Sequence, residues 1–184
     1  TKILKFGGSS VGTPKMIKKV GEIVKAAARK EGVVVVVSAF QGVTDQLLKC
    51  AKLAAKQSPK LEKEIEDLKD RHVKAIRALA VNKKLEKEGL NYVEKLFEEL
   101  KLALEKNADG KAVSNKNLDW VASFGERLSA YIVAASMKNA YFADARELIK
   151  TDDNFVNAAV DFKKTNRRIH NYFRNKRGLP VITG

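Results

Sequence analysis

Five consecutive valines, Val33–Val37, stand between a glycine and the stretch Ser-Ala-Phe-Gln-Gly. β-Branched side chains are stiff at χ1 and favour extended backbone. A strand that is apolar on both faces has to be covered on both faces, as central strands of parallel sheets are. The run therefore reads as such a strand. Residues 1–6 read as a second short strand ending in a glycine-serine turn. Thr13-Pro14 is a helix start, a capping hydroxyl followed by proline at the first helical position. Met16, Ile17, Val20, Ile23, Val24 and Ala27 then recur at helical spacing as one buried face. Gly32 closes that helix. Strand, helix, strand in this order predicts an α/β sheet with right-handed crossovers.

Further along, residues 44–57 read as a helix. Ser58-Pro59 opens another, carrying Leu61, Ile65, Leu68, Ile76 and Leu79, and a third carries Leu90, Val93, Phe97, Leu100 and Leu104. The last two form a charged helical hairpin inserted in the sheet domain at about 58–110, with residues 107–110 ending it. Residues 117–139 read as a helix, 141–145 as a strand, 151–154 as a polar turn, 160–162 as a short strand, 163–173 as a helix and Leu179–Thr183 as a strand. All 184 residues fit one domain. A strand finishing in Thr-Gly with nothing after it is an unusual stop for an α/β domain, so the chain reads as a fragment.

Several function classes drop out. No apolar run approaches the ~20 residues of a membrane-spanning helix, and Lys2 and Lys5 interrupt any signal-peptide pattern. The single cysteine, Cys50, allows no intramolecular disulfide, and a cytoplasmic setting is expected. The net charge of +14 suits a polyanionic partner or a solvated basic surface. Lysine mixes with glutamate at helical spacing in 61–69 and 83–106, which favours the solvated, ion-paired face. His72 and His170 come with no cysteine pattern, so no metal site is expected. Asp152 and Asp153 read as a solvated turn, Cys50 as a buried thiol, and Trp120 with Phe124 as packing residues.

Three stretches carry chemistry. In Lys5-Phe6-Gly7-Gly8-Ser9-Ser10 the paired glycines let the backbone approach a ligand, and successive N–H groups at a helix entrance suit phosphate oxygens. Lys5 stands where its ammonium can meet a phosphoryl group. Lysine precedes the glycines, so this is not the P-loop order. The alternative is a plain turn with an exposed lysine. Ser38 and Thr44 follow the valine strand, and ligands of open α/β sheets bind beyond the strands' carboxyl ends. Both can donate to a substrate carboxylate, although Thr44 equally suits helix capping. In Ser123-Phe124-Gly125-Glu126-Arg127, Gly125 is costly inside a helix and so suits a close approach. Glu126 either binds a substrate ammonium or belongs to a solvated Glu-Arg pair.

Taken together, KFGGSSVG, VVVVVSAFQGVTDQLL and LDWVASFGERLSA, followed by DARELIKTDDNF and GLPVITG, resemble the aspartate kinases of the amino acid kinase superfamily in both order and spacing. The resemblance implies an αβα sandwich with a mostly parallel sheet of about eight strands, of which this chain would be the first part. It implies transfer of the γ-phosphoryl group of ATP to the β-carboxylate of L-aspartate, the entry to lysine, threonine and methionine synthesis. Lys5 would be the catalytic contact to the ATP phosphates. Gly7, Gly8 and Ser9 would form the phosphate-facing turn, Ser38 and Thr44 would hold aspartate, and Glu126 would take its amino group. Mg²⁺ would arrive on the ATP phosphates, with no protein metal site. A homo-oligomeric full-length enzyme would be expected, with neither nucleic acid nor membrane as partner. Glutamate 5-kinase and acetylglutamate kinase are the alternatives within the superfamily. A non-catalytic basic nucleic-acid-binding module is the alternative outside it. The resemblance is incomplete. No downstream RGGSD-type motif, second lysine, adenine pocket or regulatory ACT domain is present, and the connection at 137–145 looks short. Little or no kinase activity is expected of this polypeptide alone.

Overall fold

A computed structural model describes residues 1–106 and 113–184. Its four strands are β1 (Lys2–Phe6), β2 (Val33–Val37), β3 (Ala140–Ala143) and β4 (Leu179–Thr183), all parallel, in the order β1-β2-β4-β3. The valine strand is central, as expected. Val33, Val35 and Val37 are buried while Val34 and Val36 are only half-buried, so its two faces are unequally covered.

Helix α1 (Pro14–Ala28) begins where the sequence indicates, with the Thr13 hydroxyl accepting the Met16 N–H at 3.3 Å. Ile17, Val20 and Val24 are buried, but Ile23 lies on the helix flank and is exposed. Helices α2 (Val43–Ala55), α3 (Leu61–Leu79), α4 (Lys83–Glu105) and α5 (Asn115–Ala135) follow. The α3–α4 hairpin is no appendage. Ile65, Leu68 and Ile76 of α3, Val93, Phe97 and Leu100 of α4, and Leu128 and Ile132 of α5 join Val35 and Val37 in one apolar cluster. Lys49 pairs with Glu64, and Lys69–Glu94 and Lys101–Glu62 span the hairpin at 2.6 Å. These are largely exposed pairs worth little each. They bear out the ion-paired reading of the lysine-rich segments. The expected hairpin end at 107–110 lies outside the described residues.

Helix α5 stops at Ala135, four residues earlier than its pattern suggests. Asn139 takes a left-handed φ of 58° and turns the chain into β3, which starts and ends ahead of the expected strand. A single-turn helix, α6 (Ala145–Leu148), is capped by Asp144. The expected strand at 160–162 does not form. Val160 makes only an isolated antiparallel bridge with Thr151, and Asp161 caps α7 (Phe162–Phe173) by accepting the Lys164 N–H at 2.9 Å. A capping carboxylate there outweighs its two apolar neighbours, Val160 and Phe162. Among the described residues, no helix is long and apolar enough to cross a membrane.

Candidate active site

The carboxyl ends of β1, β2 and β4 meet around Ser38. Phe6 lies opposite Val37, the Ser38 N–H donates to the Phe6 carbonyl at 3.1 Å, and the Gly184 N–H donates to the Val37 carbonyl at 2.8 Å. Two turns leave from here. The first closes with Ser10 N–H donating to the Gly7 carbonyl at 2.9 Å and Val11 N–H to the Gly8 carbonyl at 3.3 Å. The second, residues 38–42, is bonded to the first through Gln41 N–H and the Gly8 carbonyl at 3.1 Å.

The adjacent glycines do different work. A Cβ at Gly7 would meet nothing within 4 Å, so that residue faces open space. A Cβ at Gly8 would lie 2.9 Å from the Ala39 carbonyl oxygen, so Gly8 is what lets the turns touch. Lys5, the penultimate residue of β1, is exposed, and so is Ser9. Among the described residues no ion pair is formed by Lys5. Ser38 is half-buried between the strand ends. Thr44, also half-buried, is not the cap of α2. That place belongs to Gly42 at φ 79°, with no side chain accepting from the first-turn N–H groups. The capping alternative for Thr44 therefore falls, and an uncapped helix entrance opens at the same edge.

Helix α5 closes the site from the side. A Cβ at Gly125 would be 2.8 Å from Ala39 Cβ and 3.2 Å from Val43 Cγ1, the close approach anticipated for that glycine. The next residue, Glu126, is half-buried beside Ala39. Burial pushes its carboxyl pKa up, while its own backbone N–H and that of Ala39 act in the opposite sense. Arg127 points elsewhere. It is 7% exposed, with Nη2 donating to Glu99 at 2.9 Å and Nε 3.8 Å from Asp144. The solvated Glu-Arg pair is thus not what forms, and among the described residues no cation pairs with Glu126.

Ala39 is the meeting point: its carbonyl abuts Gly8, and its backbone N–H is near enough to Glu126 to lower that carboxyl's pKa. No sequence signal marks an alanine for this, because only its backbone is used. Arg71 of α3, which bonds to both turns, was equally silent in the sequence. The remaining candidates are local. Asp152 Oδ1 accepts the N–H groups of Asn154 and Ala159 at 3.2 and 3.0 Å. Cys50 is buried, its thiol pKa raised to about 11 chiefly by that burial. Trp120 meets Phe124 edge-on at 5.9 Å. A wide concavity of about 840 Å³, lined by Ile17, Val24, Val33, Leu79, Met137 and Leu179, lies at the strands' amino ends, away from these turns.

Comparison with known proteins bears on the family and the fold. The sequence profile of the Amino acid kinase family matches residues 1–184. Aspartokinase 1, chloroplastic, of Arabidopsis thaliana is 29% identical over 195 residues, covering 100% of this chain and 33% of that protein. The aspartokinase of Saccharomyces cerevisiae is 30% identical over 174 residues, covering 86% of this chain and 32% of that protein. The structure of E. coli aspartokinase III in complex with aspartate and ADP shares the fold, with TM-score 0.82 at 24% identity over 99% of this chain and 40% of that one. The chain thus spans about a third of the length of the curated relatives it matches.

Proposed function

The chain belongs to the amino acid kinase family, and from that premise we propose that residues 1–184 are the N-terminal portion of an aspartate kinase domain, which transfers the γ-phosphoryl group of ATP to the β-carboxylate of L-aspartate. The observation that carries the reading is the convergence on Ala39 of the glycine turn and of Glu126, an acid that pairs with no cation among the described residues. One turn offers backbone N–H groups and the Lys5 ammonium to phosphate oxygens. The other offers Ser38, Thr44 and the uncapped entrance of α2 to a carboxylate. Glu126 is left for an ammonium.

An amino acid that presents a carboxylate to ATP needs no general base, since the nucleophile is already ionised at neutral pH. The chain's residues then have positioning and charge to supply. Gly7, Gly8 and Ser9 hold the phosphates, Lys5 offsets charge on the moving phosphoryl group, and Ser38, Thr44 and Glu126 fix aspartate for in-line attack. The open space at Gly7 fits phosphates accompanied by their metal. Mg²⁺ bound to ATP supplies neutralisation of the β- and γ-phosphate charge. The reading extends to a homo-oligomeric full-length enzyme in the cytoplasm, a reducing compartment that suits the lone buried Cys50.

Glu126 also sets the specificity. N-acetylglutamate has no ammonium and would leave a half-buried carboxylate unpaired, so it should be rejected strongly. Aspartate should raise the melting temperature of the protein, glutamate less so, and N-acetylglutamate not at all. Hydroxylamine trapping of the acyl phosphate should then yield aspartyl hydroxamate in the full-length protein. Stabilisation by N-acetylglutamate equal to that by aspartate would refute the assignment.

A further inference from the structure

The helical hairpin has no part in the chemistry described so far, yet it reaches both turns. Arg71 on α3 donates through Nη1 to the Gln41 carbonyl at 3.0 Å and through Nη2 to the Gly12 carbonyl at 3.1 Å. One guanidinium therefore ties together segments 30 and 59 residues away in sequence. These are the last residues of the phosphate turn and the middle of the substrate loop. Its carbon also lies 5.8 Å from the centre of the Phe40 ring.

Phe40, between Ala39 and Gln41, is held from the same helix a second time. His72 stacks on it with centroids 5.1 Å apart and ring planes at 12°. His72 is fully buried, with Nδ1 2.7 Å from the Leu68 carbonyl. A carbonyl can only accept, so Nδ1 carries the proton and the ring is fixed in orientation. Phe97 of α4 backs the imidazole at 6.1 Å. The two turns are already close: a Cβ at Gly12 would come 3.2 Å from the Gly8 carbonyl oxygen and 3.3 Å from Gln41 Cβ.

We propose that the hairpin is a clamp that sets the distance between the phosphate turn and the substrate loop, with Arg71 as its positioning residue and the His72–Phe40 stack as its seat. The proposal rests on the reading of those turns given above. The fork geometry of the guanidinium is what the task requires. Two carbonyls on different segments are fixed relative to each other by one planar group, which a lysine ammonium cannot reproduce. The hairpin's own cohesion does not depend on Arg71, because Ile65, Leu68, Ile76 and their partners on α4 form a continuous apolar cluster without it.

The test uses Arg71→Ala and Arg71→Lys in the full-length protein. Amide hydrogen exchange should accelerate roughly tenfold in both residues 7–12 and 38–42, as expected for loss of charge-assisted hydrogen bonds. Exchange elsewhere in α3 should stay unchanged. In ATP-dependent phosphorylation of aspartate, kcat should fall about tenfold or more with both KM values within about threefold, since misplacement affects the reacting geometry more than the binding of either ligand. Arg71→Lys should resemble Arg71→Ala. Unchanged exchange in either turn would overturn the clamp, as would a loss seen wholly in KM. A wild-type protein that phosphorylates no aspartate would instead sink the functional reading, and the exchange measurement would still decide whether the clamp exists.

Discussion

Replacing Gly125 with alanine pits two known magnitudes against each other. In a helix interior, alanine is favoured over glycine by about 1 kcal/mol, and Gly125 lies well inside α5. Against that, the new Cβ would sit 2.8 Å from Ala39 Cβ, 3.2 Å from Val43 Cγ1 and 3.3 Å from Leu47 Cδ1. Carbon atoms in contact prefer about 3.5–4.0 Å, so the first contact is short by most of an ångström. Leu47 can rotate, but Ala39 has no rotamer to change, so backbone has to move. Overpacking of this kind costs about 1–3 kcal/mol. The net expectation is a loss of about 0–2 kcal/mol, a few degrees in Tm for a chain of this size. Function should suffer more than stability. The displaced residue is the one whose carbonyl abuts Gly8 and whose backbone N–H acts on the Glu126 carboxylate. Thermal melts alongside calorimetric titration with aspartate measure both effects. A variant that melts higher than the parent and binds aspartate equally well would refute the idea that Gly125 exists for close approach.

Glu126→Gln should separate stability from binding. The folded pKa of Glu126 is raised, so its favourable contribution exists below the unfolded pKa and is lost as pH rises through the folded value. At neutral pH the ionised carboxylate is a cost. The glutamine variant should melt higher at pH 7 without ligand and bind aspartate about 10–100-fold more weakly, with calorimetry as the check. His72 has the opposite pH dependence. Burial lowers its pKa to about 4, so stability is fully present above the unfolded value near 6.5 and falls by about 1.4 kcal/mol per pH unit between there and about pH 4. Denaturant titrations of His72→Phe should show a shallower acid slope than the parent. Val156 has φ 73° with a side chain that is 69% exposed, so Val156→Gly removes left-handed strain without losing burial. It should stabilise by about 1 kcal/mol in a chemical melt, and a lower midpoint would count against strain at that residue.

The elements were legible where one local cause dominates. The valine run, the Thr13-Pro14 start and the apolar stripes of the hairpin appear as read, because strand propensity, capping and periodicity agree at those places. Boundaries failed where a single residue overrides the pattern: Asn139 ends the stretch after α5, and Asp161 converts an expected strand into a helix entrance. In the site, Gly8 could be singled out as one of paired glycines after a strand and Gly125 as a glycine inside a helix, whereas Glu126 stayed open between an ammonium site and a solvated pair until the family resemblance was weighed. Ala39 and Arg71 could not. One acts only through its backbone. The other is a cation in a helix full of cations, and nothing but the third dimension distinguishes it from Lys69 or Lys74.

Adjacent charges with separate fates explain how an acid that meets no cation among the described residues can persist at residue 126. Successive residues on a helix point about 100° apart, so Arg127 is directed to Glu99 and Asp144 while Glu126 faces Ala39. Asp144 is itself held below the ordinary carboxylate range despite its burial, through Arg146 and then Arg127. Arg127 and Arg146 are therefore committed to other acids, and Glu126 keeps its desolvation cost in the free protein. Such a cost is one that a ligand ammonium can offset. On the proposed role of Glu126, binding energy for the amino acid is in that sense stored in the fold, and aspartate at a hundred times its Kd would return about 2.7 kcal/mol of stability by mass action alone. The same partition explains why neutralising Arg127 should not mimic neutralising Glu126. Removing the arginine leaves half-buried Glu99 without its partner and Asp144 with Arg146 alone, and so destabilises the junction of α4, α5 and β3, whereas removing the acid relieves the free protein and weakens only the liganded one.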